Sequence, residues 1–325
     1  MYQITLQSLV SPVSDEYKRF NSYYTSLFSS ENGVVNNFLS QLACSRGKMI
    51  RPILVLLISK CYGTVPVGIF HLSSAVELLH QGSLIHDDVV DESDKRRGFP
   101  SVNFMFGNKI AVLLGDFVVS RSLQEISLTN NLKSIECISR LIEGLSEGEI
   151  IQLDALNSRS LSEELYFDII SRKTANLFET ASELAALLSG ASADDVASFR
   201  RFGHLAGLCF QIMDDILDFH DENDTGKPAG NDLREGKFTL PSIYALGHSN
   251  QDWSNHILAI RSLCATPQQI REVTEYAVSN GGITYCESRM EELKDEAMSV
   301  LPSSIPSGYL DFFRNYLEFI THRQK

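Results

Sequence analysis

The chain has 325 residues, of which 43% are hydrophobic and 21% charged, an ordinary globular composition that excludes disorder as the dominant state. Its 41 acidic against 28 basic residues give a net charge of −13, the wrong sign for a protein that grips nucleic acid through backbone phosphates. The longest stretch free of charged residues, Cys61 to Val76, is interrupted by Gly63, Pro66 and Gly68, so no membrane-spanning helix is expected.

From the N-terminus, residues 1–15 lack the basic start and apolar core of a secretion signal. No Arg precedes Arg19, which speaks against a mitochondrial presequence, so a cytoplasmic location and a loose lead-in over 1–15 are expected. Nothing reads as a run of strands. Apolar residues recur at helical spacing over 32–45 and 50–62, then from Phe70 to Asp91. The same period continues over 109–128, 132–153, 162–190, 194–220, 237–248, 252–264, 267–280, 282–301 and 307–322. Short turns marked by Gly and Pro separate these segments, and no low-complexity linker divides them. The reading is all-α, a single large helical bundle over 1–325. The six cysteines are scattered without a CxxC pair, as reduced and mostly buried thiols would be.

Two acidic clusters share the form DDxxD. Asp87-Asp88-Val-Val-Asp91 closes the helix that starts near Phe70, and Asp214-Asp215-Ile-Leu-Asp218 closes the one that starts near Asp194. Helical positions i and i+4 share a face, so each cluster presents two carboxylates to one point. Like charges at that spacing, near a helix C-terminus, are unfavourable without a cation. Oxygen ligands of this density suit Mg²⁺, which takes one or two carboxylates and completes its shell with water and phosphate. The plain alternative is a solvated acidic helix end, but two identical clusters, each set in apolar sequence, speak against it. The clusters could face each other across a bundle core.

Cations accompany both clusters: Lys95, Arg96 and Arg97 after the first, Lys227 and Lys237 after the second. Lys48 and Arg51 open another helix, where backbone N–H groups and basic side chains suit an anion, and Lys173-Thr174 lies within a third. Taken singly, each is an ordinary surface cation. Together they meet what an acidic protein needs to handle phosphate.

The segments GKMIRP, LLHQGSLIHDDVVDESDKRRGFPSVN, SEGEIIQ, RKTANLF and FQIMDDILDFHDENDTGKPAGNDLREGKFTLP, in this order and spacing, resemble the trans-polyprenyl diphosphate synthases, long-chain type. The likeness spans about 45 to 245; beyond it only helical character matches. It implies an all-α bundle of the isoprenoid synthase type with a central cavity. It implies that Asp87, Asp88, Asp91, Asp214, Asp215 and Asp218 hold Mg²⁺, three ions per active site, with Asp87, Asp91 and Asp214 the most direct ligands. Arg96, Lys173, Thr174, Gln211, Lys227 and Lys237 would contact the allylic diphosphate, with Lys173 and Lys237 counted among the catalytic groups. Lys48, Arg51, His80 and Arg97 would hold isopentenyl diphosphate. Without the resemblance, His80 reads as a satisfied core histidine and Gln211 as a buried amide.

Two positions depart from the family pattern. Met49 stands where a basic residue is usual, which bears on affinity, and Gln81 stands where a small residue is usual. Gly82 and Ser83, five and four residues before Asp87, are small where short-chain members carry Phe or Tyr, which implies a long product. The same glycine and serine also suit close helix packing, and the alternative is a shorter geranylgeranyl or farnesyl product. The run from Asp221 to Gly226 imitates an EF-hand opening, but its twelfth position is Asp232 and Lys227 and Pro228 fill its middle, so calcium is rejected. Other readings are a class I terpene cyclase, which would lack the second DDxxD, a non-catalytic synthase subunit, which would lose the clusters, and a helical scaffold. The expected partners are isopentenyl diphosphate, an allylic primer and a second copy of the chain in a homodimer. No nucleic acid is expected, and a membrane only in transient contact for product release.

Overall fold

The computed structural model describes residues 4–43, 47–96, 98–158, 160–220 and 229–322. Among them the all-α expectation holds, and the only strands are Lys95–Arg96 and Phe99–Pro100, paired antiparallel in a hairpin. The chain forms two compact units, one of Met1–Arg140, Thr180–Arg200 and Leu301–Tyr316, the other of Leu141–Glu179, Arg201–Val300 and Leu317–Lys325.

The first unit begins with α1 (Leu6–Val10) and α2 (Ser14–Ser26), so residues 6–15 are not the loose lead-in that their polarity suggested. Thr5 and Ser8 form a capping box on α1, and the buried Leu9 and Val13 fix the segment to the unit's core. Next come α3 (Gly33–Leu42), capped by Asn32, and α4 (Ile50–Lys60), which is apolar on all sides and buried from Ile50 to Ser59. Helix α5 (Val67–Val90) carries the first DDxxD at its C-terminal end. After the hairpin follow α6 (Val102–Phe106) and α7 (Asn108–Ser127). Helices α5 and α7 approach closely because small residues meet there. A Cβ on Gly82 would lie 2.7 Å from Val119 Cγ2, and Ser122 Oγ donates to Ala75 O at 2.8 Å.

The remaining helices are α8 (Leu132–Ala155), α9 (Glu163–Ile170), α10 (Asn176–Leu188), α11 (Ala193–Asp218), α12 (Asn231–Arg234), α13 (Leu240–Gly247), α14 (Ser254–Arg261), α15 (Pro267–Ser279), α16 (Gly282–Ser299) and α17 (Leu310–Thr321). Between α9 and α10, Ser171–Ala175 forms one π-turn, an element that recurs at functional sites. In the second unit Tyr244 and Tyr285 stack with centroids 4.0 Å apart, beside a core of Phe219, Ala245 and Ala277. Burial pushes the Cys209 thiol up to about 12, in keeping with an inert core cysteine. No helix among the described residues is long and apolar enough to cross a membrane.

The π-turn rests on Gly207. A Cβ there would stand 2.5 Å from Ala175 Cα, and backbone cannot swing aside as a side chain can. Gly207→Ala is therefore expected to cost about 1–3 kcal/mol in urea unfolding. Gly33→Ala, with nothing within 4 Å, should leave stability unchanged or raise it by up to about 1 kcal/mol.

Candidate active site

The unit 1 residues are arranged by helix geometry. At about 100° per residue, His80, Ser83, Asp87 and Asp91 fall on one side of α5 and its C-cap, while Gly82 falls on another, against α7. Asp88 turns inward and is only 3% exposed. Its Oδ1 accepts from Arg96 Nε at 2.8 Å and from Arg96 Nη2 at 2.5 Å. The hairpin that supplies Arg96 is stitched to the helix end. Asn103 Nδ2 donates to Asp88 O at 3.0 Å and Ser93 O at 3.1 Å, and Ser101 Oγ donates to Ser93 O at 2.6 Å. Gly98, with φ of 80°, makes the tight reversal between the strands.

At the start of α4, Met49 is buried in the left-handed conformation, with φ of 54°. A non-glycine residue held there carries backbone strain of the kind found at functional sites. Lys48 before it is exposed, and Arg51 after it is buried. Arg97 lies outside the described residues.

In unit 2 four side chains form one hydrogen-bonded chain. Thr174 Oγ1 donates to Gln211 Oε1 at 2.6 Å, and Gln211 Nε2 donates to Asp215 Oδ1 at 2.8 Å. Tyr166 Oη donates to Asp215 Oδ2 at 2.6 Å. Burial pushes the Asp215 carboxyl up to about 7, against the pull of Tyr166 and Gln211, and Asp214 and Asp218 add to the rise. Burial and the same carboxylate push the Tyr166 phenol well above its usual range, which keeps it a neutral donor. Asp218 is raised by burial and eased by the backbone N–H groups of Asp232 at 3.0 Å and Asn231 at 3.1 Å. Asp232 too is pushed well up, by burial and then by Asp218 and Asp215.

Among the described residues of this unit, the two lysines expected at the site have carboxylate partners. Lys173, on the π-turn, pairs with Glu149 and donates to Gln152 Oε1 at 3.1 Å. Lys237 pairs with Glu235 at 2.7 Å, and its backbone N–H donates to Asp232 O at 2.8 Å. Lys227 and the EF-hand-like run at 221–226 lie outside the described residues.

The second Asp of each motif, and Asp218, accept hydrogen bonds from donors of their own unit; Asp87, Asp91, Asp214 and Asp218 are half-buried. No three His, Cys, Asp or Glu among the described residues form a ready metal cage.

Sequence reasoning did not find Tyr166, Glu149, Gln152, Glu235, Asn103 or Asp232. Glu149 and Gln152 lie in SEGEIIQ, where the signal was visible. Tyr166 lies seven residues before Lys173, two α-helical turns, but the π-turn between them breaks that register.

A family model described as polyprenyl synthetase matches residues 32–278. The chain is 35% identical over 306 residues to the all-trans-nonaprenyl-diphosphate synthase (geranyl-diphosphate specific) of Rhodobacter capsulatus, covering 92% of this chain and 93% of that protein. The crystal structure of polyprenyl synthase from Caulobacter crescentus CB15, complexed with calcium and isoprenyl diphosphate, matches with a TM-score of 0.92 at 29% identity, over 100% of both chains. Geranylgeranyl pyrophosphate synthase from Bacteroides thetaiotaomicron matches with a TM-score of 0.85 at 36% identity, over 98% of this chain and 99% of that one.

The Asp215 network has a testable pH signature. Its carboxyl titrates near 7 in the fold against 3.8 when exposed, so ionisation opposes folding. The burden is absent below about pH 4, grows as pH rises, and is complete above about pH 7. Tyr166→Phe removes a donor to the ionised form. It should cost about 1–3 kcal/mol at roughly pH 8 and less at roughly pH 5, in urea melts of metal-free protein.

Proposed function

The chain belongs to the polyprenyl synthetase family, and from that premise we propose a prenyltransferase that adds isopentenyl diphosphate units head-to-tail to an allylic primer, giving a long all-trans polyprenyl diphosphate. The observation that carries this reading is the pair of complete DDxxD motifs, each with its second Asp anchored in the fold. A terpene cyclase has no use for two full clusters together with the Lys48, Arg51 and His80 set, and a non-catalytic subunit would not keep both clusters.

Asp87, Asp91 and Asp214 would hold Mg²⁺ most directly, with Asp88, Asp215 and Asp218 fixing the backbone that presents them. Bound Mg²⁺ supplies positive charge to the diphosphate oxygens as the allylic C–O bond opens. Arg96, Lys173, Lys227 and Lys237 neutralise the same leaving group, and Thr174 and Gln211 orient it. For Lys173 and Lys237 this means turning from Glu149 and Glu235 toward the diphosphate. Lys48, Arg51, His80 and Arg97 hold isopentenyl diphosphate, whose double bond attacks the allylic carbon. The proton then lost goes to the departing diphosphate. Apolar residues flanking both motifs keep water from the allylic cation.

Mutation of the direct ligands tests the metal reading. Asp87→Ala and Asp214→Ala should each lower turnover of labelled isopentenyl diphosphate by several orders of magnitude, and chelator should abolish it in the wild type. Near-normal turnover in either variant contradicts the assignment.

The long product is supported by the nonaprenyl relative and by Ser83, whose small side chain shares the Asp87 face one turn back. The geranylgeranyl neighbour is the ground for the shorter alternative. Gly82 would act indirectly, by allowing the approach of α7. Ser83→Phe should shorten the product, read by mass, while primer ionisation persists; an unchanged product places the stop elsewhere.

A homodimer fits the apolar stripe of Val112, Leu113 and Leu123 on α7, where Leu113 is 65% exposed. Light scattering at the monomer mass would contradict it. We place the enzyme in the cytoplasm, in transient membrane contact as its product leaves.

A further inference from the structure

About a quarter-turn round α5 from Asp87, the side chains of Gln81, Leu84, Ile85 and Asp88 line a cavity of about 240 Å³ within unit 1. Phe38 and Leu114 are among the apolar groups that close it. Arg96 and Asp88 stand at its edge, but they are bonded to each other, so that edge brings a neutralised pair. Of the other polar side chains that line it, Gln41 is exposed, Ser101 donates to Ser93 O, and the remaining one is Gln81. It is 7% exposed, and its Oε1 has no hydrogen-bond partner among the described residues. An unpaired buried carbonyl is destabilising, and here it occupies a position where the resembled pattern has a small side chain.

The geometry points to a second binding site in this cavity, for a neutral hydrocarbon of on the order of ten non-hydrogen atoms with one hydroxyl. The size follows from the volume, which equals roughly eight waters at about 30 Å³ each. Neutrality follows from the ion pair at the edge, since an ionised group would enter an apolar space without a counter-charge. The single hydroxyl follows from Gln81, whose amide, with a small rotation, offers Oε1 as acceptor. A ten-carbon prenyl alcohol and a fatty alcohol share this chemistry. An occupant would lie against the Arg96–Asp88 pair; that consequence for the diphosphate site rests on the proposed function, whereas the binding does not.

Calorimetric titration of the full chain, free of metal and diphosphate, tests the site with geraniol and with 1-octanol. Saturable binding of one molecule per chain is expected, and the tighter of the two probes identifies the isoprenoid or the fatty source. Gln81→Leu conserves volume and removes the acceptor. It should weaken both alcohols about tenfold, equivalent to about 1.4 kcal/mol, and leave p-cymene, which has no hydroxyl, unchanged. Leu114→Trp, checked by its thermal melt, should abolish binding of all three by filling the space; if it does not fold, Gln81→Leu decides. Absence of saturable binding in the wild type overturns the proposal. So does alcohol binding that Gln81→Leu leaves intact. Failure of the proposed function would show instead as absent prenyl transfer, with alcohol binding preserved.

Discussion

Carboxylates held inside apolar helices are the constraint on which the rest of this structure depends. An ionised Asp taken out of water destabilises the fold unless donors meet it, and neighbouring acids make the penalty worse. The chain answers with local donors. Arg96 grips Asp88, Tyr166 and Gln211 grip Asp215, and the backbone after α11 grips Asp218. Each donor ties a further segment to the motif: the strand Lys95–Arg96 in unit 1, α9 and the first residues of α12 in unit 2. The anchored residues lie within one helical turn of Asp87, Asp91 and Asp214, the proposed direct ligands, and hold the helix ends that carry them.

The lysines follow the same logic. Lys173 and Lys237 sit against Glu149 and Glu235, so the unit carries its own counter-ions before a diphosphate arrives. A diphosphate must compete with these carboxylates, which favours a ligand of higher charge over a monoanion. At the π-turn carrying Lys173 and Thr174, Ala175 packs where a Cβ on Gly207 would stand, which ties a packing choice in α11 to this segment.

Much of this was legible in the sequence, and the failures have physical causes. Period-3.6 patterning located the longer helices from α3 onward through their apolar faces, but it missed α2, α6 and α12 and ran α9 and α10 together. It failed for Leu6–Val13, where two side chains, Leu9 and Val13, anchor a segment too short and too polar to show a period. The hairpin of Lys95–Arg96 with Phe99–Pro100 was invisible because two-residue strands are too short to show an alternation. The DDxxD motifs were legible as pairs at i and i+4. The division of labour within them was not, since it depends on which donor reaches which oxygen. Tyr166 could be found only once the π-turn was known, and Gly82 and Ser83, adjacent in sequence, are separated by the helix onto different faces.

As the central claim we propose that Asp87, Asp91 and Asp214 bind Mg²⁺ together with a diphosphate, whose oxygens complete the shell. Calorimetric titration of Mg²⁺ into the wild-type chain, with and without saturating inorganic diphosphate, measures this directly. The account predicts affinity at least about tenfold tighter when diphosphate is present. Equal affinity in its absence would contradict the account.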